Sequence, residues 1–109
     1  MLQLVIRKVK PDQEARLREW LSELSRRREE VRATFAREGV RHEQAYLLKT
    51  ADGPLLVYAM EAVDQEQAKR AFKDSTDPID EEHRRVMEEV LGANARPELL
   101  YDCAAESER

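Results

Sequence analysis

The sequence predicts an α+β domain of the ferredoxin-like, split βαβ kind. Three observations carry that prediction: the order of strand-like and helix-like stretches, an Asp-Gly hairpin signal at mid-chain, and strands with apolar residues on both faces. The order reads β-α-β-β-α-α-β, which gives a four-stranded antiparallel sheet with helices on one face. A chain of 109 residues suffices for one core and is too short for two independent ones. We therefore read residues 1–104 as one domain and 105–109 as a frayed tail.

The first strand is LQLVIRKV, residues 2–9, rich in aliphatic and β-branched side chains and stopped at Lys10-Pro11. From Pro11 or Asp12 to Glu38 there is no internal Gly or Pro. Leu17, Trp20, Leu21, Leu24, Val31 and Phe35 recur there at spacings of three and four, which predicts one long helix with Gly39 as its C-terminal stop. Two strands, at about 40–50 and 54–62, flank Ala51-Asp52-Gly53 as a hairpin. Asp64 with Gln67 resembles a capping box opening a helix through about Lys73. Asp77 and Pro78 supply an N-cap and a first helical residue for a helix closed by Gly92. PELLYDC, residues 97–103, reads as the last strand.

Both faces of the central strands are apolar. Leu2, Leu4 and Ile6 alternate with positions that include Val5 and Val9, and Leu55, Val57 and Ala59 alternate with Leu56, Tyr58 and Met60. A sheet with one solvated face should alternate cleanly between apolar and polar. The expectation is a homodimer, in which a second copy covers the open sheet face that the helices leave bare.

Charged residues make up 39% of the chain and hydrophobic ones 41%, with a formal net charge of −4. That balance describes a globular domain with a solvated surface and argues against a nucleic-acid partner, whose phosphates need a clustered excess of Lys and Arg. No apolar run is long enough for a membrane span or a signal peptide, so the expected location is cytoplasmic. The single cysteine, Cys103, has no internal disulfide partner and is expected as a small buried thiol on the last strand.

Four stretches, VKPDQEARLREWL, RREEV, HE at 42–43 and IDEEH, carry a resemblance that spans most of the chain. The chain resembles an uncharacterised family of small proteins within the dimeric α+β barrel superfamily. That superfamily includes antibiotic-biosynthesis-type and haem-degrading monooxygenases, muconolactone-isomerase-like proteins and stress-response proteins. The resemblance implies the fold and a dimer, and suggests a small organic ligand held between sheet and helices. Its enzymatic alternative is a cofactor-independent monooxygenase or isomerase acting on an apolar or aromatic molecule. Haem-degrading members use an Asn, a Trp and a helix-borne His, and Asn94 and Trp20 do not correspond to that set in position. No cofactor is expected.

The residues that stand out are polar groups on apolar stripes. His83 lies between Ile79 and Met87 on the buried side of its helix, with Asp80 one turn earlier. It is either a general acid/base oriented by Asp80, or a core-edge imidazole satisfied by Asp80 or backbone. Arg28 falls between Leu24 and Val31 on the first helix, where a guanidinium needs a carboxylate; Glu43 and Glu61 are the candidates on the sheet. It is a ligand-binding group if it meets His83, Asp80 and Glu43, and otherwise a buried ion pair or a snorkelling side chain. Trp20, Tyr46 and Tyr58 are candidates for lining a pocket as well as for the core. His42 and His83 lack any metal-ligand spacing, so no metal is expected.

Overall fold

The computed structural model describes residues 2–106; part of the expected tail, 107–109, lies outside the described residues. The elements are β1 (Leu2–Val9), α1 (Glu14–Arg26), α2 (Arg28–Glu38), β2 (Val40–Thr50), β3 (Gly53–Ala62), α3 (Gln65–Asp74), α4 (Pro78–Val90) and β4 (Leu91–Ala95). All strand pairs are antiparallel and the sheet order is β2-β3-β1-β4. This is the four-stranded α+β, ferredoxin-like arrangement expected from the pattern.

The hairpin forms where Asp-Gly placed it. Thr50 pairs with Gly53 across a two-residue turn, and Gly53 takes φ 110°, a left-handed conformation that favours glycine. The Thr50 hydroxyl accepts from the Asp52 N–H and donates to the Gly53 carbonyl, which fixes the turn. Gly39 closes α2 at φ 72°, with its N–H on the Phe35 carbonyl.

Five expectations are corrected. The long first helix is two helices that meet at Arg27 (φ −102°, ψ 37°). Across the bend, α1 packs on α4, while α2 packs mainly on α3 and on β2. The last strand is Leu91–Ala95, not 97–103: Lys10 donates to the Val90 carbonyl and Arg7 clamps the Gly92 carbonyl with two guanidinium N–H groups at 2.9 and 2.7 Å. Gly92 therefore sits in β4 rather than ending the helix. Pro97 has no N–H to extend the ladder, and residues 96–104 carry no regular structure. With no strand to enclose it, Cys103 is exposed instead of buried. Finally, Asp77 precedes α4 but makes no side-chain cap bond; its carboxylate is drawn to Arg37 on α2.

The core lies between the helices and one sheet face, with Leu17 and Trp20 of α1, Leu56 of β3, Val86 and Val90 of α4, and Val9 and Leu91. A smaller cluster of Val40, Ala62 and Ala68, with Phe35 and Met60 against it, underlies α2 and α3. The opposite face carries Leu2, Leu4 and Ile6 in register with Glu61, Ala59 and Val57, while Tyr46 and Leu48 pair with Val57 and Leu55. Leu4 is 41% exposed, Tyr46 54% and Leu48 51%, so an apolar surface faces solvent. Among the described residues no helix is long and apolar enough to cross a membrane.

Candidate functional site

The candidate site is built where α1, α2 and α4 meet the helix-facing side of β2 and β3. Ile79, His83 and Val86 share one face of α4, because residues three and four apart stack on a helix. Ile79 and Val86 anchor that face in the core, and His83 is carried inward between them. Trp20, 2% exposed, comes from the buried stripe of α1. Tyr58 comes from β3, one strand pair along from the buried Leu56 and opposite Ala45.

Hydrogen bonds give these three side chains a direction. The Trp20 indole Nε1–H donates to His83 Nδ1 at 2.7 Å, and His83 Nε2 lies 3.2 Å from the Tyr58 hydroxyl. An indole N–H can only donate, so Nδ1 must be the bare nitrogen and the neutral ring carries its proton on Nε2. That proton goes to the Tyr58 oxygen, which leaves the Tyr58 O–H to donate elsewhere. Phe72 sets its edge on the imidazole, with ring centroids 5.6 Å apart, and the Arg84 guanidinium lies 5.5 Å from the Phe72 ring centre. Burial pushes the His83 imidazole down to about 4, with Arg84 adding to the fall and the Asp80 charge opposing it. His83 is thus held neutral by packing and by its two partners.

Asp80 does not orient the imidazole. It faces Glu38, the last residue of α2, and both are buried. Burial first, and then the charge and hydrogen bond of Asp80, push the Glu38 carboxyl up to about 8. Among the described residues no hydrogen-bond donor reaches Glu38 Oε2 or Asp80 Oδ2. Glu38 was missed by sequence reasoning, although it continues the spacing Val31, Phe35, Glu38 along the inward face of α2.

Beside this pair a cavity of about 600 Å³ opens between the α1–α2 bend and the sheet. Leu21, Leu24 and Ser25 of α1, and Arg28, Val31, Arg32 and Phe35 of α2, form one wall. Arg41, His42, Glu43 and Ala45 of β2, with Tyr58 of β3, form the other. Glu43 is pushed up to about 7 by burial and by the Asp80 charge, and the Tyr58 phenol is raised by burial and then by Glu43. Glu43 is therefore poised to gain or lose a proton near neutrality, on the wall of an open cavity.

The structure brings Trp20, His83, Tyr58, Glu43 and Asp80 into one region, with Arg28 lining the same cavity, and leaves Tyr46 elsewhere. Arg28 lines the cavity but is exposed and forms no ion pair among the described residues. The half-buried cation is Arg27, which binds Glu82 at 2.9 Å and Glu30 at 2.7 Å. Tyr46 stands on the open sheet face, with its hydroxyl on Gln44. Among the described residues, no three His, Cys, Asp or Glu side chains are grouped as metal ligands.

Fold and site together define a small ferredoxin-like α+β protein with a cavity between its helices and sheet, lined by Glu43 and Tyr58. The chain belongs to the family of unknown function DUF6176, which it matches over residues 2–108. No curated protein matches it. Among solved structures it is similar to that of Rv0793 from Mycobacterium tuberculosis, at 21% identity and a TM-score of 0.56, over 96% of this chain and 97% of that one. At that identity the likeness speaks to fold.

Proposed function

We propose that the protein is a homodimeric, cytoplasmic small-molecule binder of the dimeric α+β barrel type. Its cavity takes an organic ligand and its open sheet face takes a second copy. One observation carries the ligand reading: the directed chain from Trp20 through His83 to Tyr58 ends in the cavity with a hydroxyl proton that has no acceptor among the described residues. Burying a polar hydrogen without an acceptor is unfavourable, and a ligand oxygen there removes the penalty. The apolar face bearing Leu4, Tyr46 and Leu48 supports the second copy.

The test is a screen of small organic acids, alcohols and amines by amide chemical-shift perturbation. Hits should move Ser25, Val31, Ala45 and Tyr58, and disappear in Ala45→Trp, which fills the cavity. Perturbations confined to the open sheet face, or none at all, would overturn the reading.

Glu43 favours a second reading, that of an isomerase on an apolar substrate. A carboxyl near 7 in a cavity can take a proton from one carbon and return it to another. In that reading Glu43 is the proton carrier. His83 acts only through Tyr58, because Trp20 occupies Nδ1 and Nε2 already bears a proton. Loss of turnover in Glu43→Gln with substrate binding retained is the expected signature.

A further inference from the structure

The cavity wall combines three kinds of surface. Leu21, Leu24, Val31 and Phe35 offer an apolar lining, Tyr58 and Glu43 offer hydroxyl and carboxyl groups, and arginines from two elements add positive charge. Of these, Arg32 is bound to Glu29 at 2.9 Å, whereas Arg28 on α2 and Arg41 on β2 form no ion pair among the described residues. Two unengaged guanidiniums on facing walls of one cavity, in a chain with a net charge of −4, are the groups that recognise an anion.

We propose that the ligand is an apolar monocarboxylic acid whose carboxylate meets Arg28, Arg41 and the Tyr58 hydroxyl, and that it binds together with a proton on Glu43. This rests on the reading of the cavity as a ligand site and names the ligand's chemical class. Among the described residues Glu43 is the one acid lining the cavity, and as a carboxylate it would repel the ligand. As a neutral acid it donates to the ligand carboxylate. Glu43 shares the cavity lining with Arg28 and Arg32 on α2, Arg41 and His42 on β2 and Tyr58 on β3, and the charge that acts on it is that of Asp80, which faces Glu38. Burial and the Asp80 charge favour the Glu43 proton, and the arginines hold the ligand.

Octanoate, octanol and octylammonium separate the possibilities, because they share one tail and differ only in the head. Followed by amide shifts, octanoate should bind in the cavity at least tenfold more tightly than octanol. Arg28→Gln with Arg41→Gln should abolish that preference and leave octanol unchanged; both arginines are exposed, so the fold should persist. The Kd of octanoate should rise by up to about tenfold per pH unit above roughly pH 7, the limit for one linked proton. In Glu43→Gln it should stay flat.

Equal binding of octanoate and octanol overturns the proposal and leaves the cavity a binder of apolar molecules. Tightest binding by octylammonium overturns it in favour of a cation held by the carboxylates. A pH dependence unchanged in Glu43→Gln overturns the proton linkage. If none of the three enters the cavity, the ligand reading itself falls.

Discussion

A protonated His83 would set an Nδ1–H against the Trp20 indole N–H, turning a 2.7 Å hydrogen bond into a repulsive contact. Protonation and folding therefore oppose each other at this residue. The folded imidazole titrates at about 4 against an ordinary value of 6.5. Below the ordinary value the unfolded chain binds the proton first, so this contribution to stability is complete above it and is lost as pH falls toward 4. His83→Ala should destabilise the protein by about 3 kcal/mol at neutral pH, through an orphaned Trp20 N–H and a cavity beside Phe72. Urea unfolding should show that gap shrinking steadily as the pH is lowered to about 4, by up to roughly 3 kcal/mol. A gap that does not change with pH would mean that the imidazole is not held neutral. Helical spacing alone placed His83 inward, next to Ile79. Its true partners could not be read off, because Trp20 lies 63 residues away in sequence and Tyr58 lies 25. Asp80 stood out as the neighbour one turn away, and proximity along a helix was a poor guide to which groups bond in space.

Elements began and ended according to whether a cap or a strand edge was within reach. Asp64 and Asp77 carry the same signature, an acid directly before a helix. Asp64 accepts from the Glu66 and Gln67 N–H groups at 3.0 and 3.2 Å, whereas Asp77 makes no cap bond and turns to Arg37. Asp64→Ala should cost about 1 kcal/mol, as the loss of an N-cap does, and Asp77→Ala less than half of that, as an exposed ion pair does. Thermal unfolding of the two variants side by side tests the assignment, and equal losses would contradict it. The same competition explains the misplaced last strand. PELLYDC has strand-like composition, but the edge of β1 is already taken by Leu91–Ala95 as the chain leaves α4, and Pro97 blocks continuation. Composition reports what a segment tolerates, while occupancy of the edge is a property of the fold. The bend at Arg27 was hidden for a similar reason. No Gly or Pro marks it, and across it α1 packs on α4 while α2 packs mainly on α3.

At the scale of the whole molecule, the two-sided apolar character of β1 and β3 was legible, because a period of two assigns every strand residue to a face. Helices bury one side. The other presents Leu2, Leu4, Tyr46 and Leu48 to solvent, and the chain also exposes Leu99, Leu100 and Tyr101 beyond β4. Apolar area of this kind is stabilised by about 25 cal/mol per Å² when it leaves water, and a standard interface removes about 800 Å² from each partner. The proposed homodimer should therefore persist at micromolar concentration and sediment at twice the mass of the 12.7 kDa chain. Tyr46→Glu with Leu48→Glu places two like charges on β2 where they face the partner, and neither residue contributes to the core cluster. That variant should sediment as a monomer with an unchanged far-ultraviolet spectrum and an unchanged melting transition at low concentration. Ala45→Trp, one residue away but on the opposite face, should remain dimeric. A wild-type chain that sediments as a monomer, or a Tyr46/Leu48 variant that still pairs, would remove the sheet face as the interface. A monomer in both variants would instead tie dimerisation to the helix-facing side, where Ala45 and Tyr58 lie opposite each other across β2 and β3.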